Sequence, residues 1–179
     1  MKPSLFRRQT GVSLVDQMLT LGIVSVALGL ALPNFNSLRE RRSLEGAAGQ
    51  LESELQHAKS LAVELNQAVR FTFESTPLGM CYVVHTGGPK DCHCAAAEGA
   101  SCTPGTQVFR HAQADDKGLV SMKSNSRSFA FDPTGGTVTP TATLELRNRQ
   151  GDVLRLIVNI MGRIRSCSVN GVITGMPTC

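Results

Sequence analysis

Hydrophobic residues follow different patterns along the chain, and the first pattern is a nearly unbroken apolar run over residues 12–32. At ~1.5 Å per residue, a helix of this length reaches about 32 Å, enough to cross the core of a bilayer. One acid, Asp16, lies near the start of the run. An ionised group is costly in lipid and needs a partner, so the segment predicts a membrane-length helix with a role in assembly.

The second pattern is an apolar stripe with alternating spacings of four and three residues, which predicts an amphipathic helix. Pro33 lies between the two patterns and predicts a kink or an interruption there. A heptad stripe is also compatible with a coiled coil. Three heptads with small alanines fit a helix packed on its own sheet equally well, and we favour this intramolecular interpretation. The stripe consists of Leu44, Ala48, Leu51, Leu55, Ala58, Ala62 and Leu65.

Beyond residue 66 short β-rich segments alternate with turn residues. The sequence Gln150-Gly151-Asp152 predicts a hairpin turn, and Met161-Gly162 predicts another. The fold class is therefore α+β, with one long N-terminal helix on an antiparallel sheet. The predicted strands cover residues 68–74, 80–85, 128–131, 143–149, 153–160 and 163–169, and residues 86–105 are a predicted Gly/Cys-rich loop.

The sequence Gly162-Arg163-Ile164-Arg165 stands at the start of the last predicted strand. On a strand the two arginines point to one side, ~6.5 Å apart, while Ile164 faces the core. Gly162 permits the tight turn before them. Arginine offers a planar fork of donors that suits phosphate oxygens, so the motif predicts a phosphate clamp.

A short basic leader ends in Gly11, before the apolar run. The sequence Gly11-Val12-Ser13-Leu14-Val15-Asp16 resembles the class III signal of type IV pilins and pseudopilins. The resemblance implies that prepilin peptidase cuts after Gly11 and methylates Val12, and that Asp16 pairs with the amine of a neighbouring subunit. Valine replaces the commoner phenylalanine and aspartate the commoner glutamate, which predicts a subunit incorporated in small numbers.

Two simpler interpretations compete for the apolar run. An ordinary secretory signal would be cleaved after a short apolar stretch, with small residues available at 27–31, but the length of the run and Asp16 argue against it. A plain single-span anchor is partly compatible with the resemblance, because pilin subunits wait in the inner membrane before assembly. The predicted location is thus a single-pass inner-membrane protein with a periplasmic domain, and afterwards the extracellular type IV pilus.

The C-terminal half resembles minor pilins of the FimT/GspH family, through Phe129-Ala130-Phe131-Asp132-Pro133, a hairpin, and Gly-Arg-x-Arg before a cysteine. The resemblance implies a type IV pilin-like fold with a leader at 1–11, a membrane and filament helix at 12–32, its amphipathic continuation at 33–66 and a β-rich domain at 67–179. In the FimT branch the Gly-Arg-x-Arg element is implicated in DNA binding during natural transformation. That role maps here onto Gly162, Arg163 and Arg165, with Arg147, Arg149 and Arg155 widening the patch.

Charge is concentrated locally, because loss of three basic residues with the leader would leave 15 basic residues against 14 acidic ones. From residue 147 onward five arginines accompany one acid, Asp152. The chain has one tyrosine and no tryptophan, so base stacking contributes little. These features predict weakly selective, salt-sensitive binding to the backbone of double-stranded DNA.

Six cysteines lie beyond the membrane segment, on its predicted periplasmic side. Zinc-ligand spacing is absent among them, so disulfides are the preferred interpretation. The pilin resemblance implies the pair Cys167 and Cys179. The other four, which allow three connectivities, are Cys81, Cys92, Cys94 and Cys102.

Catalysis is not expected, since no nucleophile, base and orienting acid recur at a recognisable spacing, and no cofactor is expected. The four histidines are scattered along the chain. The rival to DNA binding is a structural role, either as a GspH-like pseudopilin of type II secretion or as a minor pilin that primes pilus assembly, with the arginines merely exposed. Both interpretations imply other pilin subunits, prepilin peptidase and the inner membrane as partners.

Overall fold

The computed structural model describes residues 13–179 apart from 96–98, 116–117 and 172, and the side chains of residues 30–34, 95 and 115 are not described. Gly11 and Val12, the predicted cleavage and methylation site, lie outside the described residues. The chain divides into a first unit that ends at Leu38 and a second unit, Arg39–Cys179. The single long helix α1 spans Leu14–Leu65.

In the first unit, α1 follows Ser13, whose hydroxyl oxygen accepts a hydrogen bond from the N–H of Val15 at 3.4 Å. Asp16 is exposed in the first turn, where the helix dipole favours a negative charge. No helix in the described part of the chain is long and apolar enough to cross a membrane. The predicted single span over residues 12–32 is therefore not confirmed.

Of the two outcomes predicted at Pro33, the interruption is wrong, because α1 continues through that residue, and the kink stays a prediction. Proline removes one backbone donor, but its fixed φ is compatible with a helix. In the second unit the predicted stripe is buried from Leu44 to Ala62. Leu65 is 37% exposed, because the helix ends there and Asn66 adopts a left-handed φ of 50°.

The strands in the described part of the chain form a five-stranded sheet in the order β5-β2-β1-β7-β8, a four-stranded sheet in the order β11-β10-β9-β6, and a two-stranded sheet of β3 and β4. Neighbouring strands are antiparallel. Their bounds are β1 Val69–Thr76, β2 Gly79–His85, β3 Cys92–Ala95, β4 Gly99–Cys102, β5 Val108–Asp115, β6 Val120–Ser124, β7 Ser128–Phe131, β8 Val138–Thr139, β9 Ala142–Asn148, β10 Val153–Val158 and β11 Ile164–Ser168.

The core of the second unit joins the apolar stripe of α1 to the inner faces of the two larger sheets. Aromatic rings dominate the five-stranded sheet, where Phe71 stacks on Phe129 with ring centroids 5.2 Å apart. The helix on an antiparallel sheet domain confirms the predicted α+β fold class. The intramolecular interpretation of the stripe is therefore correct.

A polar contact also ties the helix to the five-stranded sheet. The hydroxyl of Tyr82 donates to Glu54 Oε2 at 2.6 Å, and Arg110 Nε lies 3.2 Å from Glu54 Oε1. Burial raises the pKa of Tyr82, and so does the hydrogen bond to Glu54. The phenol therefore stays protonated and keeps donating to the helix.

The predicted loop over residues 86–105 contains a short hairpin, β3 and β4, which we call the flap. Cys92 and Cys102 are directly opposite in its ladder and form a disulfide. A second disulfide, between Cys81 and Cys94, links the flap to β2. The sequence did not predict these strands because glycine and alanine are depleted in strands, whereas the disulfides hold the chain in place.

Candidate functional site

The predicted arginines lie on the four-stranded sheet and in its turns. Alternate residues of β9, β10 and β11 enter the core, and these are Leu144, Leu146, Leu154, Leu156, Val158 and Ile164. The residues between them point outward, away from α1. On this outer face Arg155 is opposite Glu145 of β9, and Ile157 is opposite Arg165 of β11.

The turn from β10 to β11 holds Arg163. The N–H of Asn159 donates to the Arg163 carbonyl at 3.1 Å, and the N–H of Gly162 donates to the Asn159 carbonyl at 2.9 Å. The N–H of Arg163 in turn donates to Asn159 Oδ1 at 2.9 Å. Gly162 has a φ of 66°, a left-handed conformation that glycine adopts without strain.

Gly162 is buried, and the underside of its turn packs on two other parts of the domain. A Cβ at this position would overlap the carbonyl oxygen of Gly136, in the turn after β7. Lys59 Nζ of α1 donates to the Gly162 carbonyl at 3.1 Å. The glycine of the motif is therefore buried and fixes the turn, and Lys59 is a supporting residue that no local sequence pattern indicated.

Arg163 and Arg165, which we call the arginine pair, are both exposed, and Ile164 between them is 8% exposed. The predicted alternation around Ile164 is therefore present. Within the described residues, no acid forms an ion pair with either guanidinium. Two permanent charges thus face solvent, Arg163 from a turn that several hydrogen bonds fix and Arg165 from the paired strand β11.

Arg155 differs from the arginine pair because its charge is already matched. Its Nε lies 2.7 Å from Glu145 Oε1. Lys123 of β6 is opposite Glu145 on the other side and is exposed. The charges counted from residue 147 onward do not include Glu145 and Lys123. Only the strand register shows that these two residues lie in one row with Arg155.

Arg147 and Arg149 lie toward the other end of the sheet. Arg147 is exposed on β9, opposite Ser121 of β6. Arg149 is in the turn from β9 to β10, where its Nε donates to the Gly118 carbonyl at 3.2 Å. A strand the length of β10 spans about 20 Å, so Arg149 and the arginine pair occupy opposite ends of one face.

The cysteines form the disulfides Cys81–Cys94, Cys92–Cys102 and Cys167–Cys179. The pair at the C-terminus is the one that the resemblance implied. His111 Nε2 lies 3.4 Å from Cys81 Sγ, close enough for a three-ligand group of Cys81, Cys94 and His111. The two sulfurs are bonded to each other, however, and a metal would need them as thiolates.

Comparison with solved structures identifies similar folds. The type IV minor pilin FimU of Pseudomonas aeruginosa has 21% sequence identity and a TM-score of 0.51, over 70% of this chain and 89% of its own. The minor pseudopilin EpsH from the type 2 secretion system of Vibrio cholerae has 11% identity and a TM-score of 0.48, over 69% of this chain and 95% of its own. The first likeness shows a shared fold and confirms the predicted type IV pilin-like fold.

Sequence comparison assigns the family. No curated protein matches the chain significantly. Residues 47–162 match the family model described as type II transport protein GspH. The matched segment runs from the apolar stripe of α1 to the glycine before the arginine pair. Because the match covers more than half of the chain, the protein belongs to the GspH family of type II transport proteins.

Proposed function

We propose that this protein is a minor type IV pilin that binds extracellular double-stranded DNA through the arginine pair for uptake in natural transformation. One observation carries the proposal: two exposed guanidiniums extend from a fixed turn and from the first residues of β11, and no acid pairs with them among the described residues. The two residues stand two positions apart on extended backbone, so their Cα atoms are ~6.5 Å apart, while each strand of a duplex carries one phosphate per 3.4 Å of helix axis. Two long arginine side chains at this spacing suit neighbouring phosphates of one strand.

The chemistry of this surface favours the phosphate backbone over the bases. Guanidinium groups bind phosphate oxygens through paired hydrogen bonds. The aromatic rings of Phe71, Phe129 and Phe131 are buried in the core, so they are not available for stacking on bases. We therefore expect binding without sequence specificity, with an affinity that falls steeply as salt rises.

Delivery of this surface depends on the N-terminal segment. In the proposal, prepilin peptidase cuts after Gly11 and methylates Val12 while the subunit is in the inner membrane. Asp16 then pairs with a neighbouring pilin subunit during assembly. The exposed apolar side chains of the first unit, from Leu14 to Leu28, are available for packing against neighbouring subunits.

The direct test is an electrophoretic mobility shift of a duplex of arbitrary sequence at low salt, using the full-length chain in a mild detergent. The wild type should bind, and Arg163→Ala with Arg165→Ala should weaken binding at least about tenfold. Arg39→Ala with Arg42→Ala removes the same charge from α1 and is the matched control. Absence of wild-type binding, or equal binding by the arginine-pair variant, would refute the proposal.

A pseudopilin of type II secretion is the second candidate, favoured by the name of the matching family and by the end of the match at residue 162. In that case the arginine pair is outside the shared domain and has no ligand. A strain carrying Arg163→Ala with Arg165→Ala should then secrete and transform normally, whereas loss of Asp16 should impair assembly. Loss of transformation with normal piliation would exclude this candidate.

A further inference from the structure

A second basic site borders the outer face of the four-stranded sheet. A cleft lies between the flap and the segment that joins β6 to β7. Lys90, just before β3, and Arg127, just before β7, both line it and are exposed. Within the described residues no ion pair joins either side chain to an acid. We call these two residues the second basic cluster.

The acid in this cleft is already engaged. Glu74 Oε1 lies 2.7 Å from His93 Nδ1, and Glu74 Oε2 accepts a hydrogen bond from the N–H of Cys94 at 2.7 Å. The hydrogen bond to Glu74 raises the pKa of His93, and the negative charge of Glu74 adds to this. Glu74 is thus engaged by His93 and by the Cys94 backbone, whereas no ion pair among the described residues joins Lys90 or Arg127 to an acid.

Both cations stand on backbone that is held in place. The Arg127 carbonyl accepts a hydrogen bond from the N–H of Phe73 at 2.7 Å, and the Ser126 hydroxyl donates to the Ser128 carbonyl at 2.9 Å. The loop of Lys90 is closed by Asp91, whose carboxylate accepts from the N–H of Gly88 at 2.7 Å. The second basic cluster therefore resembles the arginine pair in being exposed on a fixed backbone.

A continuous row of outward-facing residues connects the two basic sites. Arg165 is opposite Ile157, which is opposite Thr143. The N–H of Thr143 donates to Asn125 Oδ1 at 2.8 Å, which extends the row past β6. From Arg165 to Asn125 the row crosses three strand spacings, about 14 Å. Arg127 is two residues after Asn125, which adds about 6.5 Å, so its backbone lies within about 20 Å of that of Arg165. Within the described residues, no acid is part of this row.

We propose that the second basic cluster is a further phosphate-binding subsite, so that one DNA duplex lies across the outer face and contacts both basic sites. This inference rests on the proposed function of the arginine pair. Each strand of a duplex carries one phosphate per 3.4 Å of helix axis, so a span of up to about 20 Å covers at most about six phosphates of one strand. A duplex that bridges the two sites therefore gains contacts that neither site makes alone.

The test measures duplex binding by the full-length chain in detergent, by fluorescence anisotropy over a series of salt concentrations. Lys90→Gln with Arg127→Gln should lower the affinity ~3- to 10-fold at moderate salt. The slope of log affinity against log salt should become shallower by about 1.8, because two phosphate contacts are lost. Arg39→Gln with Arg42→Gln is the matched control on α1 and should change neither quantity.

The outcomes separate this inference from the proposed function. If the arginine-pair variant loses affinity but the Lys90 and Arg127 variant behaves like the α1 control, the subsite is refuted and the proposed function stands. If the wild type does not bind duplex DNA, both are refuted. A folding defect is excluded for each variant whose thermal unfolding midpoint equals that of the wild type. If the double glutamine variant is unfolded, Lys90→Ser with Arg127→Ser takes its place.

Discussion

The two turns at the ends of β10 share one backbone design but differ in what surrounds them. Each starts with an asparagine and has a left-handed glycine three residues later, Gly151 with a φ of 88° and Gly162 with a φ of 66°. In each, the N–H of the glycine donates to the carbonyl of the asparagine, Asn148 or Asn159. Gly151 has open space around it, whereas Gly162 packs against Gly136.

The residue after the glycine shows what the shared design is used for. Its N–H is held by the asparagine side chain in both turns, at 2.8 Å for Asp152 and 2.9 Å for Arg163. Asp152 is buried, accepts from Asn148 Nδ2 at 2.9 Å and lies 3.4 Å from Arg41 Nε. Arg163 is exposed. The same turn therefore anchors the sheet at one end and presents a cation to solvent at the other.

The largest effect on the free energy of unfolding should come from substitution of the two turn glycines. Gly162→Ala forces a left-handed φ on an alanine and drives its Cβ into the Gly136 carbonyl, so we expect a loss of about 3–5 kcal/mol in the free energy of unfolding. Gly151→Ala meets only the φ strain and should cost about 1–2 kcal/mol. Chemical denaturation of both variants measures the difference, and equal losses would contradict the close packing under Gly162.

Substitutions of Asp152 and Arg163 should differ in their effect on the free energy of unfolding. Asp152→Ala leaves Asn148 and Arg41 without their partner, at a cost of about 1–3 kcal/mol in the free energy of unfolding. Arg163→Ala removes an exposed side chain and should stay within about 0.5 kcal/mol of the wild type. Thermal unfolding of the two single variants is the measurement, and a destabilising Arg163→Ala would mean that this arginine has a structural partner.

Substitution of Lys59 should have a smaller effect, and it should change both the free energy of unfolding and the affinity for duplex DNA. Lys59→Met removes the donor to the Gly162 carbonyl, so we expect a loss of about 1 kcal/mol in the free energy of unfolding. The loosened turn should also weaken duplex binding by the arginine pair about twofold to threefold. Gln56 of α1 lines the same cavity as Lys59 and Gly162, so Gln56→Met is the matched control. Unchanged binding by the Lys59 variant would show that the turn needs no support from α1.

Local patterns predicted much of the fold. The four-and-three spacing identified the buried stripe of α1, and turn glycines identified the hairpins around Gly151 and Gly162. The arrangement of exposed arginines around Ile164 followed from the two-residue period of a strand. These features depend on neighbours within a few residues, so one sequence contains the information.

The remaining features depend on residues that are distant in the chain. Lys59 and Gly162 are 103 positions apart, so no local pattern relates them. The pairing of Arg155 with Glu145 follows from strand register, which composition does not reveal. The flap and its two disulfides could not be predicted, since four cysteines allow three connectivities and the flap has no hydrophobic alternation.

The salt dependence of duplex binding tests the central claim most directly. The wild-type chain and Arg163→Ala with Arg165→Ala are titrated with one labelled duplex at several salt concentrations. We predict that the variant's slope of log affinity against log salt is shallower by about 1.8, because each lost phosphate contact removes about 0.9. Parallel slopes for the two proteins would contradict a role of the arginine pair in binding DNA phosphates.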